Sequence, residues 1–494
     1  MRIQSLDQAL IELIFGAASI RRWNDQINPM EFTELDKQAH KMTIAWVLAK
    51  CEEDSGKEDI SWKSLIEGSI FELLQRILLT DIKPPVFHRM MDENGPQLNL
   101  WVLKELSPFT RCVRGGFHER MEHYFLEKGF SRREKRILKA AHYLATQWEF
   151  NILYALCPFI RGIEQIKGEI EDQLEDHLDL IGVQKIALKR KTYGFIDLCG
   201  QLRFQKRWSQ SPRIPATSVL GHMLMVAIMT YLALCDTDAC DARIVNGFQG
   251  ALFHDLPEAL TRDITSPVKN AVEGLADTIK RFENLQMEEK VQPLVPPQWY
   301  HQLSYFTDNE FDNRICLDGR VTGGLTFKEL DEKYNSMEFN PVDGEMICCA
   351  DKLAAFIEGW SRFATGLRRS ISRKGSKDSG TNTRTARWGL STSAMYSSPS
   401  SRSFRTDGEA CGAGDGKLQT TGTMEPAASG SRLVALHAVC GHRRDCLDGL
   451  PHLRRDCHDI LGDNLRLRHS LLQDAAGMGG GGDRPVPGGG VHAA

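Results

Sequence analysis

Five residues in the middle of the chain, His222, His254, Asp255, Glu258 and Asp351, have types and spacings that could do metal chemistry. Imidazole and carboxylate ligands together suit a divalent transition metal, and a two-His, two-Asp set leaves coordination positions open for water and substrate. His254 and Asp255 are adjacent, and Glu258 follows them by four and three residues, so on a helix all three side chains share one face. Pro257 is compatible with that only if a new helical segment starts beside it or the turn there is distorted. Asp263 follows in TRDITSP, where a helix must stop because Ser266 precedes a proline. Taken singly, each residue has an ordinary explanation. A histidine at a helix start, like His222, is more often a cap or core residue than a ligand, Glu258 could be a solvated helix residue, and Asp263 a turn former. Asp351 resists that treatment, because it lies in the apolar segment EMICCADKLAAFIEGW, where an unpaired carboxylate is costly and metal ligation offsets the cost.

The elements that must position these residues read as helices. Segments such as HKMTIAWVLAKCEE, HMLMVAIMTYLALCD and SRREKRILKAAHYLATQWEFNILYALCPFI place apolar residues at three- and four-residue steps, and strand-like alternation is scarce. The expected fold class is all-α. With 494 residues, 41% hydrophobic and 26% charged, the chain fits a globular protein with about three domains' worth of length. A formal net charge of −4 gives no global reason to expect nucleic acid or an anionic membrane surface as partner. No apolar run approaches the ~20 residues of a membrane span. The N-terminal segment carries Asp7 and Glu12 within its apolar stretch and reads as an amphipathic helix, not a signal peptide. Thirteen cysteines without a framework spacing fit reduced thiols and a cytoplasmic location.

An internal repeat organises the chain. GSIFELLQRILLTDIKPPV (68–86) aligns with GALFHDLPEALTRDITSPV (250–268) at a shift of 182 without a gap. The same shift takes His40 to His222. Upstream, RRW (21–23) answers KRW (206–208) with a three-residue slip, and downstream AHYLA (141–145) answers ADKLA (350–354). The reading is a tandem pair of helical domains, residues 1–190 and 191–366, with the boundary near 185–200. From 367 to 494 the chain is rich in Arg, Gly, Ser and Ala and almost lacks Lys. Such a stretch buries too little apolar surface to offset its ordering entropy, so it reads as largely disordered, or as an out-of-frame translation. Its Cys440, His442, Cys446, His452, Cys457 and His458 lack the paired spacing of a zinc site.

The order His … His-Asp … Asp in an all-α setting resembles the HD superfamily of metal-dependent phosphohydrolases. KRW, the GH that follows it, FHDLPEALTRDITSPVK and ADKLAAF are similar to the bacterial 5′-deoxynucleotidases of that superfamily, over roughly 200–366. The resemblance implies His222, His254, Asp255 and Asp351 as ligands of a divalent metal (manganese, cobalt, iron, zinc or magnesium), with Glu258 as the acid/base group near the attacking water. It implies Arg207 at the substrate phosphate, Trp208 shaping the sugar pocket and Asp263 at a sugar hydroxyl. These roles make chemical sense: Arg207 offers a planar fork for a phosphate, and Glu258 can move a proton to or from the reacting oxygens.

In the first copy His40, Asp81, Arg22 and Trp23 persist, whereas His254 is answered by Glu72, Asp255 by Leu73, Glu258 by Arg76 and Asp351 by His142. That copy reads as catalytically dead, kept for packing or regulation. The resemblance also implies a pseudo-dimer within one chain, or a homo-oligomer. The expected activity is hydrolysis of a small nucleotide, foremost a deoxyribonucleoside 5′-monophosphate. The alternatives are a nucleoside triphosphate or alarmone hydrolase, or a non-catalytic nucleotide-binding regulator. An HD-GYP phosphodiesterase is disfavoured because no GYP follows an HD pair. Binding to nucleic acid rests on the Arg-rich tail alone.

Overall fold

VLGHMLMVAIMTYLAL is apolar on every side, and every one of its residues is buried in helix Val219–Leu234. A helix that is hydrophobic all round needs partners all round, and the rest of the fold supplies them. The computed structural model describes residues 4–375 except 29, 57–58, 81, 209–213, 265 and 270. Asp81 and the cysteines and histidines of the tail therefore lie outside the described residues, as does residue 376 onward.

The fold is all-α, with two short two-stranded ribbons. The first half comprises α1 (Gln8–Phe15), α2 (Glu34–Asp54), α3 (Trp62–Leu78), α4 (Pro84–Thr110), α5 (Phe117–Leu126), α6 (Arg132–Leu156), α7 (Ile163–Glu175) and α8 (Ile181–Ala187). Its ribbon pairs β1 (Arg21–Arg22) with β2 (Phe32–Thr33). After α9 (Lys191–Gln201), which occupies the stretch where the sequence suggests a boundary, come α10 (Val219–Leu234), α11 (Asp241–Phe253), and the one-turn α12 (Glu258–Thr261) and α13 (Ser266–Lys269). The remainder is α14 (Leu275–Gln286), α15 (Pro297–Thr307), a hairpin of β3 (Ile315–Leu317) and β4 (Arg320–Thr322), α16 (Phe327–Lys333) and α17 (Gly344–Gly375). The backbone of α17 runs nine residues past position 366, where the composition changes.

Residues through Arg362 pack as one compact unit around one continuous apolar core. Its centre is the pair α2 and α10, packed against each other, with α6 and α3 closing over α2 and α11 over α10. Trp46 of α2 is fully buried, with its ring 5.2 Å from Phe253 and 5.6 Å from Trp299, both from the second half. Polar ties cross the same seam. Ser218 Oγ donates to Asp36 Oδ1 at 2.5 Å, and Tyr231 OH to Glu67 Oε1 at 2.5 Å. Gly221 is required where α10 meets α2, since a Cβ there would stand 2.8 Å from Asp36 Oδ1.

The two central helices start alike. Thr33 caps α2 by accepting from the Asp36 backbone N–H, and Ser218 caps α10 by accepting from that of Gly221. N-caps of this type satisfy an otherwise orphaned donor. Both caps follow a short extended pairing, β1 with β2 in one case and Lys206 with Ser218 in the other. Among the described residues no cysteine forms a disulfide. Among the described residues no helix is long and apolar enough to cross a membrane.

Candidate functional site

α10 presents His222 one turn in from its cap, so the ring is fully buried yet close to the helix start. His254 and Asp255 arise differently from the helical face suggested by their spacing. α11 ends at Phe253 with His254 as its C-cap, and Glu258 opens α12, so residues 254–257 form a tight turn. The reason is Pro257, which cannot donate to the continuing helix. The Glu258 N–H instead bonds Asp255 O at 3.0 Å. The turn still brings the three side chains to one place.

Ligand atoms of His222, His254 and Asp255 lie within 4.8 Å of one another. Asp351, from α17, joins them through His222, with Oδ1 2.9 Å from His222 Nε2. His254 Nδ1 lies 2.7 Å from Ala251 O and donates to it, which leaves Nε2, 3.1 Å from Asp255, as the nitrogen a metal would take once its proton is lost. This is how ligating histidines are oriented at metal sites. The residues fit a divalent metal: the donors are two imidazoles and two carboxylates, and the buried Glu258 Oε2 beside them has no hydrogen-bond partner.

Glu358, two turns beyond Asp351 on α17, organises the other side. Its Oε1 is 3.0 Å from His222 Nδ1, and its Oε2 accepts from Trp208 Nε1 at 2.9 Å and Arg207 Nε at 3.3 Å. The Arg207 guanidinium thus bridges Glu358 and Asp255, its Nη1 standing 3.6 Å from Asp255 Oδ2. Sequence reasoning missed Glu358. The available signal was its seven-residue distance from Asp351 in the same apolar helix, which puts both carboxylates on one face. Trp208 reaches Glu358 from a left-handed backbone position, φ 59°. Gln205 Nε2, also unforeseen, donates to Glu258 O at 2.9 Å and fixes the start of α12.

The electrostatics follow from burial and proximity. Burial alone would lower His254, but Asp255 and Asp351 override it and raise the imidazole to about 9. Burial opposes ionisation of Asp255, yet His254 and Arg207 hold its carboxyl far below the usual range. Glu258 goes the other way: burial first, then Asp255 and Asp263, push it up to about 9, so it holds a proton at neutral pH. Asp263 is half-buried just past α12, close enough to act on both Glu258 and Arg207. From the segment 269–345, Phe311 packs against the His254 ring at 6.3 Å, and buried Arg243 pairs with Asp343 at 2.7 Å to hold the start of α17.

The first half contains a parallel arrangement. Glu149 Oε2 accepts from Arg22 Nε at 2.8 Å and Trp23 Nε1 at 3.0 Å, with Trp23 at φ 57°. Arg22, Trp23 and the cap Thr33 each lie 185 residues before Arg207, Trp208 and Ser218, and by that register Lys37, not His40, stands where His222 stands. The Lys37 ammonium donates to the His142 ring, and Lys41 pairs with Glu72. His40 is instead a core residue, bonded to Ile196 O at 2.8 Å and facing Arg203. Burial and Arg203 lower it to about 3.

Residues 199–378 match the family model described as HD domain. The match covers the part of the chain that holds the metal-ligand group and supports HD superfamily membership for it, a superfamily whose members are in general metal-dependent hydrolases. No curated protein and no solved structure matches the chain.

Proposed function

We propose, on the premise of that HD-domain match, that the second half is a phosphohydrolase that removes phosphate from a deoxyribonucleoside 5′-monophosphate with a divalent metal. The observation that carries this reading is the placement of Arg207 between Glu358 and Asp255 at the edge of the His222, His254 and Asp255 group. A guanidinium held there gives a phosphate a planar pair of donors beside the metal position. His222, His254, Asp255 and Asp351 would hold the metal, which supplies Lewis acidity and charge neutralisation when bound.

The chain's own residues supply the rest. Glu358 fixes Arg207 and orients His222, so phosphate and ligand set share one anchor. Glu258, protonated and buried, is set to give its proton to the leaving 5′-oxygen, and Gln205 holds its backbone. Trp208, tied to Glu358, would form the wall beside the 2′ position of a sugar, and Asp263 would accept from a sugar hydroxyl. The shared Arg–Trp–Glu arrangement and the shared helix starts support reading the halves as related copies, the first without the metal ligands, forming a pseudo-dimer within the chain. Buried cysteines outside any disulfide, among the described residues, are compatible with a reducing compartment such as the cytoplasm.

The test is phosphate release from deoxy- and ribonucleoside monophosphates with manganese or cobalt, wild type beside Asp255→Ala. Release from deoxynucleotides that vanishes in the variant supports the reading. Release of pyrophosphate or triphosphate from larger nucleotides, with monophosphates inert, replaces it with a triphosphate or alarmone hydrolase. Nucleotide binding without any turnover replaces it with a regulator.

A further inference from the structure

We propose that Arg22, Lys37, Lys41, Arg76 and His142 in the first half form a metal-independent binding site for a phosphate group, free or as a monoester. It is a site distinct from the one that carries the proposed hydrolysis. The copy relationship supplies a point of comparison, but the charges stand without it.

Five cationic side chains converge here: Arg22, Lys37, Lys41, Arg76 and, beneath them, Arg203. They are met by three carboxylates, Glu34, Glu72 and Glu149. Two of those carboxylates are already divided among several partners. Glu149 serves Arg22 and Arg203, while Glu34 serves Arg22 and Gln38, with Arg76 Nε 3.6 Å away. Lys37 donates to an imidazole and to no carboxylate, and the buried Arg76 Nε has no hydrogen-bond partner. Burial, with Arg22 and Lys41 beside it, presses the Lys37 ammonium well below its usual value. Cations left short of anions in a buried place are a standing cost, and an incoming dianion offsets it.

The cluster is reachable. The side chains of Glu72 and Arg76 are 28% and 25% exposed, and His142 is half-buried. Asp255 and Asp351 of the second centre are 20% and 25% exposed, so the two openings are of similar degree. By the 185-residue register Lys37 stands at the place of His222, with Lys41 one turn further along α2, and Arg22 repeats the placement of Arg207 against its glutamate. A tetrahedral dianion suits such converging N–H donors better than a planar monoanion does.

The experiment uses the full chain carrying Arg207→Gln, chelator-treated, so that neither a metal nor the second centre's arginine contributes. Calorimetric titration with inorganic phosphate, deoxyadenosine 5′-monophosphate and deoxyadenosine separates the sources. Saturable binding of one phosphate per chain, with deoxyadenosine inert, is the expected result. Tighter binding of the monophosphate than of phosphate identifies an ester as the ligand, and equal binding identifies the phosphate group alone. Adding Arg76→Gln is expected to weaken binding by about tenfold, as for loss of one charged hydrogen-bonding group. Lys41→Met is expected to do the same. Arg76 is partly exposed, so its variant folds even if the Lys41 variant does not, and an unchanged melting temperature confirms it. No saturable phosphate binding, or binding untouched by Arg76→Gln, overturns the site. Because no metal is present and no turnover is read, this result is independent of the proposed hydrolysis.

Discussion

Glu358 and His222 meet at 3.0 Å, carboxylate oxygen to ring Nδ1, while the same glutamate holds the Arg207 Nε and the Trp208 indole N–H. One side chain thereby sets the orientation of a metal-ligand candidate and of the phosphate-binding candidate. Outer-shell carboxylates on ligating histidines typically change metal affinity or activity by roughly 10–100-fold when altered. Glu358→Gln is expected to lower both metal affinity and phosphate release by that order. A fall in release with metal affinity intact would assign Glu358 to Arg207 alone.

Metal loading is expected to release protons. Asp255 and Asp351 raise His254 to about 9, so in the metal-free protein at pH 7 this imidazole is charged and must lose its proton to become a ligand. Affinity should therefore climb as pH rises toward 9. For the metal-free protein the sign is opposite. A histidine raised in the folded state contributes stability that is complete below its unfolded value of about 6.5 and is lost as pH rises through about 9. Titration in buffers of different ionisation enthalpy measures the protons, and melting curves between pH 6 and 10 measure the stability.

Glu258 separates activity from stability. Its carboxyl is raised to about 9 by burial and by Asp255 and Asp263, so the folded protein disfavours its charged form above the unfolded carboxylate range. Glu258→Gln is expected to lower turnover by roughly 10²–10⁴-fold, the range for a lost general acid. It is also expected to raise the melting temperature at pH 8, with metal content unchanged. Unchanged turnover would remove Glu258 from the chemistry.

Much of this was legible from residue types. The helices follow from apolar spacing, and the gathering of His222, His254, Asp255 and Asp351 was legible because His and Asp in apolar helices are rare enough to stand out. Glu358 was not legible, because one more glutamate in a helix has no distinctive neighbour in sequence, and only the fold brings it to His222. The pairing of His40 with His222 failed for a different reason. The shift of 182 belongs to α3 and α11, but the helix caps place α2 and α10 at 185, so Lys37 takes the position. The three-residue difference already seen at RRW and KRW extends through the start of α10, and a gapless alignment could not carry it. The helical face of His254, Asp255 and Glu258 likewise became a turn because Pro257 stops α11.

Glu149 is the structural counterpart in the first half. Its two oxygens accept from Arg203 at 2.7 Å, Arg22 at 2.8 Å and Trp23 at 3.0 Å, with no exposure of its side chain. Removing one partner from a buried charged set leaves the others uncompensated, at a cost of about 3–5 kcal/mol. Glu149→Gln is expected to destabilise the protein by that order in denaturant unfolding. The metal content of the folded fraction should not change, since no ligand candidate touches Glu149.

Neither half should fold alone. α10 is buried on all sides, and the surface that covers one of them is α2. In a fragment beginning at residue 191, α10 would expose that face to water, at roughly 25 cal/mol per Å² of apolar area. Phe253 and Trp299 would also lose the Trp46 ring, and Gly221 would face solvent in place of Asp36. Since a whole domain is stable by only about 5–15 kcal/mol, losing a central helix contact of this size removes the margin. The fragment 191–375 is therefore expected to lack a cooperative thermal transition and to aggregate. Co-expression with residues 1–190 should restore a soluble pair that binds metal with the affinity of the intact chain. A fragment 191–375 that melts cooperatively and binds metal alone would show instead that α2 adds to α10 without being needed by it.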